Sequence, residues 1–126
     1  MKNLIRQSLV KAPLAIREQL MHTVAGFIFS LTKPQNIIFF GSVITENFDD
    51  WSDIDVVAIY DSLVDADQAR RKIYGAKQPQ IKHPLEILCV DADTFSSKSK
   101  IGGVYFIAAN DGRYFPKSYE NVENNP

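Results

Sequence analysis

Asn36-Ile37-Ile38-Phe39-Phe40-Gly41-Ser42, followed after ten further residues by Asp53-Ile54-Asp55-Val56-Val57-Ala58-Ile59-Tyr60, decides how this chain folds. Both apolar runs have strand length, and neither shows the polar alternation of a strand with one wet face. They are expected to be strands buried on both faces. Gly41-Ser42 closes the first run. Asp53 and Asp55 interrupt the opening of the second, where an unpaired buried charge would cost several kcal/mol. Those two acids therefore need a reason to be there.

Working outward, apolar residues recur N-terminally at Ile16, Leu20, Val24, Phe27 and Leu31, in steps of three and four. This spacing predicts an amphipathic helix over 13–31 with that stripe inward and Pro13 in its first turn. Lys33-Pro34 ends it. C-terminally, Asp61-Ser62 can cap a helix over 63–74, with Asp65 and Asp67 early, Arg70, Arg71 and Lys72 late, and Gly75 as a stop. The charge order makes the basic cluster a helix terminus. Residues 76–82 read as a polar loop and Leu85 to Val90 as a third strand. Asp93 is placed to cap a short helix from Thr94. Two readings fit 104–115: a β-hairpin about Asn110-Asp111-Gly112, or a helix ending at Gly112 before an edge strand. The expected architecture is α/β (α+β), a small mixed sheet with helices packed against it. It forms one domain over 1–116, with a polar tail over 117–126.

Topology gathers the acids. A crossover helix over 63–74 makes the second and third strands parallel, so their starting ends coincide. Glu86, near the start of the third strand, then reaches the end that carries Asp53 and Asp55. The shorter, non-helical connection makes the first strand antiparallel, which brings Gly41-Ser42 to the same end. Asp91 falls at the far end. In a strand, residues i and i+2 share a face, so Asp53 and Asp55 project side by side and repel unless a cation lies between them. Hard divalent cations such as magnesium are held by one or two carboxylates together with substrate phosphates. Gly41 allows a sharp turn and close approach of a phosphate, and Ser42 offers a hydroxyl and a backbone N–H.

The 126 residues carry 14 basic and 15 acidic side chains, a net charge of -1, which excludes binding nucleic acid by bulk charge. Cys89 is the only cysteine, so no internal disulfide framework or thiolate zinc cage forms within one chain. His22 and His83 lie too far apart in sequence to suggest a histidine metal site. Asp49 and Asp50 read as a solvated loop. Lys77, Lys82 and His83 are possible phosphate contacts of unfixed direction. Trp51 suits either stacking on a base or packing. The N-terminal residues lack the unbroken apolar stretch of a secretory signal, and Val24–Phe29 is far short of the ~20 residues that span a bilayer. The expectation is a cytoplasmic chain with no membrane contact.

Strand, Gly41-Ser42, a ten-residue gap, Asp53-Ile54-Asp55-Val56 and then Glu86 within Pro84–Val90 resembles the signature of the DNA-polymerase-β-like nucleotidyltransferase superfamily. The short length resembles the minimal nucleotidyltransferases often encoded beside a HEPN-domain protein. The resemblance covers roughly residues 13–115. The third acid is commonly aspartate in that family, one methylene shorter than Glu86. The resemblance implies transfer of a nucleoside monophosphate from a nucleoside triphosphate, ATP first among candidates, to a hydroxyl acceptor. It assigns Asp53 and Asp55 to two magnesium ions. It assigns Glu86 to activating the acceptor hydroxyl or completing one metal site, and Gly41 and Ser42 to the β and γ phosphates. Larger antibiotic-modifying relatives add a helical acceptor domain. Here the resemblance implies that a HEPN-domain partner or a second copy presents the acceptor, in an antitoxin-like homo- or hetero-oligomer. The competing reading is an inactive member of the fold that binds a partner or holds nucleotide without turnover.

Overall fold

The computed structural model describes residues 12–117. Helix α1, Leu14–Leu31, leads into strand β1, Asn36–Phe40, and a 3-10 turn, Gly41–Ile44. Strand β2, Ile54–Tyr60, is followed by helix α2, Leu63–Gly75, and strand β3, Leu85–Asp91. Helices α3, Ala92–Lys98, and α4, Val104–Asp111, precede strand β4, Arg113–Pro116. Of the expected polar tail, only Lys117 lies within the described residues.

The four strands form one mixed sheet in the order β3-β2-β1-β4. β1 is antiparallel to both β2 and β4, whereas β2 and β3 are parallel. The connection types dictate this: α2 carries the chain back to the start of β3, while the short link after β1 only reverses direction. β1 and β2 are the central strands, which explains their unbroken apolar sequence. Their side chains supply both layers of the core. Ile37, Phe39, Val56 and Ala58 face α1 and α2, together with Phe115 of β4. Ile38, Phe40, Val57 and Ile59 face the smaller cluster completed by Val90, Ala108 and Phe95 under α3 and α4. The expected mixed sheet with packed helices is therefore what the chain adopts.

Three local expectations need correction. The buried stripe of α1 is Arg17, Met21, Val24, Ala25, Ile28 and Phe29, whereas Ile16 is exposed. Residues 24–29 are apolar almost all round, so periodicity alone did not fix the helix rotation, and Pro13 is the N-cap rather than a first-turn residue. The cap of α3 is Asp91, whose carboxylate accepts the Thr94 N–H at 3.0 Å, not Asp93. Hydrogen bonding from the Thr94 side chain first, and then from its backbone N–H, holds the Asp91 carboxyl below the usual aspartate range. At 104–115 the helix alternative is the one formed, ending with Gly112 N–H bonded to Ala108 O at 3.0 Å. A Cβ on Gly112 would collide with Ile38 Cγ2 and the Ala108 carbonyl, so only glycine lets α4 end so close to β1. Ser62 caps α2 as expected, accepting from Asp65 N–H at 3.1 Å.

Candidate active site

Register sets the site. β1 pairs Phe40 with Asp55, and β3 pairs Glu86 with the same Asp55. The end of β1, Asp55 and Glu86 therefore lie abreast on three adjacent strands, each roughly 4.8 Å from the next. By strand parity, Asp55 shares a face with Val57, and Glu86 shares that face with Leu88. The apolar cluster under α3 and α4 takes Val57 and Val90, and the acids occupy the uncovered end. Asp53, one residue before β2, is exposed, Asp55 is half-buried and Glu86 is exposed. Asp91 pairs with Tyr60 at the opposite end of the sheet, as expected.

The Asp55 carboxyl is pushed above its ordinary range, first by burial, then by the charges of Glu86 and Asp53 and by its hydrogen bond with Glu86. The structure thus brings Asp55 and Glu86 together, with Asp53 near enough for its charge to be felt. It does not close the three into a cage: among the described residues, no group of three or more His, Cys, Asp or Glu side chains is arranged to hold a metal ion. The donor set is all carboxylate oxygen, the chemistry that suits magnesium rather than zinc.

Gly41 lies against these acids. Its φ of +78° is left-handed, and a Cβ there would stand 2.7 Å from Asp55 Oδ2. Both the backbone conformation and the space demand glycine. The Asp55 carboxylate therefore packs directly against the Gly41 backbone. The following 3-10 turn is pinned by buried Val43, and Ser42 O accepts the Thr45 N–H and hydroxyl, each at 2.9 Å.

A family model, the nucleotidyltransferase domain, matches residues 23–115. The chain belongs to this family. Comparison with curated proteins and with solved structures returned no match. The matched span contains β1, β2, β3, β4 as far as Phe115, and every residue of the candidate site, and it supports nucleotidyl transfer as the general activity. Among the described residues, no helix is long and apolar enough to cross a membrane.

Within this nucleotidyltransferase domain, the loop that delivers Asp53 is more ordered than its sequence suggested. Asp49 is not simply solvated. Its Oδ1 accepts the Trp51 N–H at 2.9 Å and the Ser52 hydroxyl at 3.1 Å, while Ser52 Oγ accepts the Asp49 N–H at 3.1 Å. The Trp51 bond is an Asx-turn, in which an Asp side chain accepts the backbone N–H two residues on. Lys82 and His83 turn toward this loop: Lys82 Nζ reaches Asp50 Oδ1 at 2.9 Å, and His83 Nδ1 bonds Ser52 O at 2.8 Å. Trp51 is 68% exposed, which removes the core-packing alternative.

Two supporting residues escaped the sequence reading. Arg17 is 6% exposed and donates from Nε to Ala12 O at 3.3 Å and from Nη1 to Val43 O at 3.4 Å, tying α1 to the turn after Gly41. An arginine on an otherwise apolar stripe is the only trace of this in the sequence. Tyr74 donates its hydroxyl to Ile87 O at 3.0 Å and accepts the Ile87 N–H at 3.2 Å, closing the outer edge of β3 beside Glu86. A helical tyrosine gives no hint of such a contact.

Proposed function

We propose that this chain is a metal-dependent nucleotidyltransferase of the minimal type. It moves a nucleoside monophosphate from a nucleoside triphosphate, ATP first among candidates, onto a hydroxyl acceptor. The observation that carries the reading is the juxtaposition of Asp55 with both Glu86 and the Cβ-free face of Gly41. Acids of suitable chemistry on β2 and β3 lie beside the Gly41 turn that follows β1, and this supports a reading in which the Gly41-Ser42 backbone meets phosphate.

Asp53 and Asp55 would hold the magnesium ions, two in number by resemblance. Bound there, magnesium offsets charge on the α-phosphate and lowers the acceptor hydroxyl's pKa. Glu86, exposed beside Asp55, either completes one metal position or takes the acceptor's proton, and its exposure lets an acceptor approach. The backbone N–H groups at Gly41 and Ser42, with the Ser42 hydroxyl, would bond the β- and γ-phosphate oxygens. Fixed donors aimed at leaving pyrophosphate stabilise it without reorganisation. Trp51, exposed two residues before Asp53, would stack on the nucleotide base in this reading. By resemblance, a HEPN-domain protein or a second copy presents the acceptor.

The test is incubation of the protein with labelled nucleoside triphosphates, magnesium and candidate acceptors, a HEPN-domain protein among them. An Asp53→Ala/Asp55→Ala variant runs in parallel. Transfer by the parent and none by the variant supports the proposal. Tight partner binding without transfer, unchanged in the variant, supports the inactive partner-binding reading instead.

A further inference from the structure

Asp53 precedes β2 and is exposed, so no ladder bond of its own strand holds it. Something else has to aim it. The loop before β3 runs alongside the loop before β2, and the two are joined three times in succession. Lys82 Nζ meets Asp50 Oδ1 at 2.9 Å, His83 Nδ1 meets Ser52 O at 2.8 Å, and Ile54 N–H meets Pro84 O at 2.8 Å. The first is an exposed ion pair of little consequence. The last is where the parallel ladder begins. Between them, His83 grips the carbonyl of the peptide that joins Ser52 to Asp53.

His83 is built for this and is not a phosphate ligand. It is 7% exposed, and its ring lies against that of buried Phe48, centroids 4.5 Å apart and planes inclined by 36°. A carbonyl oxygen only accepts, so Nδ1 carries the proton and the tautomer is assigned by the bond itself. From the other side, Asp49 holds Trp51 N–H and the Ser52 hydroxyl, leaving the Ser52 peptide little freedom.

We propose that His83 is a positioning residue for Asp53: by holding the Ser52 carbonyl it fixes the direction in which the Asp53 carboxylate meets a divalent cation. The inference rests on the metal-site reading of Asp53. Outer-layer partners of this kind typically change metal affinity by about 10–100-fold.

Two variants separate the bond from the packing. His83→Phe keeps a ring against Phe48 and loses the donor. His83→Asn keeps an N–H donor at about the reach of Nδ1. Hydrogen exchange over the 49–54 segment of the metal-free protein reads positioning, and calorimetric binding of Mn2+ reads its consequence. In His83→Phe, exchange over 49–54 is expected to accelerate and Mn2+ to bind about tenfold more weakly, with cooperative thermal unfolding retained. His83→Asn is expected to restore most of both. Unchanged exchange in His83→Phe overturns the inference whatever the metal result, as does accelerated exchange with parental Mn2+ affinity. Equal weakening of both variants overturns it as well, because the donor would then not be the cause. If exchange responds as expected but the unmodified chain binds no Mn2+, the metal reading of Asp53 fails and only the positioning of the Ser52 peptide stands.

Discussion

Gly41 and Asp55 lie so close that a single added carbon would separate them wrongly: a Cβ on Gly41 would stand 2.7 Å from Asp55 Oδ2, on a backbone with φ of +78°. Gly41→Ala therefore pays both a backbone and a contact penalty. Its stability should fall by about 1–3 kcal/mol, and displacement of Asp55 should lower kcat/KM by ~100-fold or more. Denaturant titration in two backgrounds isolates the contact. In Asp55→Ala the clash is gone, so Gly41→Ala should cost measurably less there; equal costs would mean that the two residues do not interact.

Asp55 carries a second prediction. Its folded-state pKa is raised above the ordinary 3.8 by burial and by Glu86 and Asp53. The native chain thus binds this proton more tightly than the unfolded chain, and stability declines as pH rises from that ordinary value through the folded pKa. Asp55→Asn should raise Tm at pH 7 by roughly 2–4 °C while abolishing transfer, and the gain should vanish at strongly acid pH. Millimolar magnesium should stabilise the parent more than the variant. Scanning calorimetry at both pH values, with and without magnesium, checks each part.

Away from the site, Arg113 of β4 grips Glu18 of α1, Nη2 to Oε1 at 2.9 Å and Nε to Oε2 at 3.3 Å, and lies 4.5 Å from the centroid of the Phe115 ring. The Arg113 hydrogen bond holds the Glu18 carboxyl below its usual 4.5, against a smaller effect of burial. A depressed acid stabilises the fold above its unfolded pKa, and the benefit is lost as pH falls through the folded value. Arg113→Ala should cost about 0.5–1 kcal/mol at pH 7. Most of that difference should close near pH 3, leaving the part owed to Phe115. A pH-independent loss would contradict the ion-pair account.

Cys89 should be inert. Burial outweighs its hydrogen bond with Tyr60 and pushes the thiol up to about 11. The thiolate fraction at pH 7 is then on the order of 10⁻⁴, and thiolate is the reacting form. Ellman's reagent should titrate the native protein slowly and the urea-unfolded protein at once.

Much of this was legible in the sequence because it rests on long-range topology that connection types decide. The 63–75 helix forces parallel strands, and parallel strands force Glu86 level with Asp55. The β1 reversal then brings Gly41 in. What escaped was local and depended on direction. The rotation of α1 was ambiguous because apolar residues surround it between Val24 and Phe29. His83, Tyr74 and Arg17 bond to backbone groups distant in sequence, and side-chain type alone does not say which carbonyl it will find. Asp91 displaced Asp93 as a cap because β3 runs one residue further than the apolar pattern, so the helix begins earlier.

The central claim, that Gly41-Ser42 and the three acids form a nucleotidyl-transfer site, is tested most directly by where each phosphate goes. Nucleoside triphosphate labelled separately at the α and γ positions is incubated with magnesium, the unmodified chain and the acceptor panel. The account predicts that α label enters the acceptor while γ label departs in pyrophosphate, and that Asp53→Ala/Asp55→Ala abolishes both. Entry of γ label into the acceptor, or α-label transfer undiminished in the variant, would contradict it.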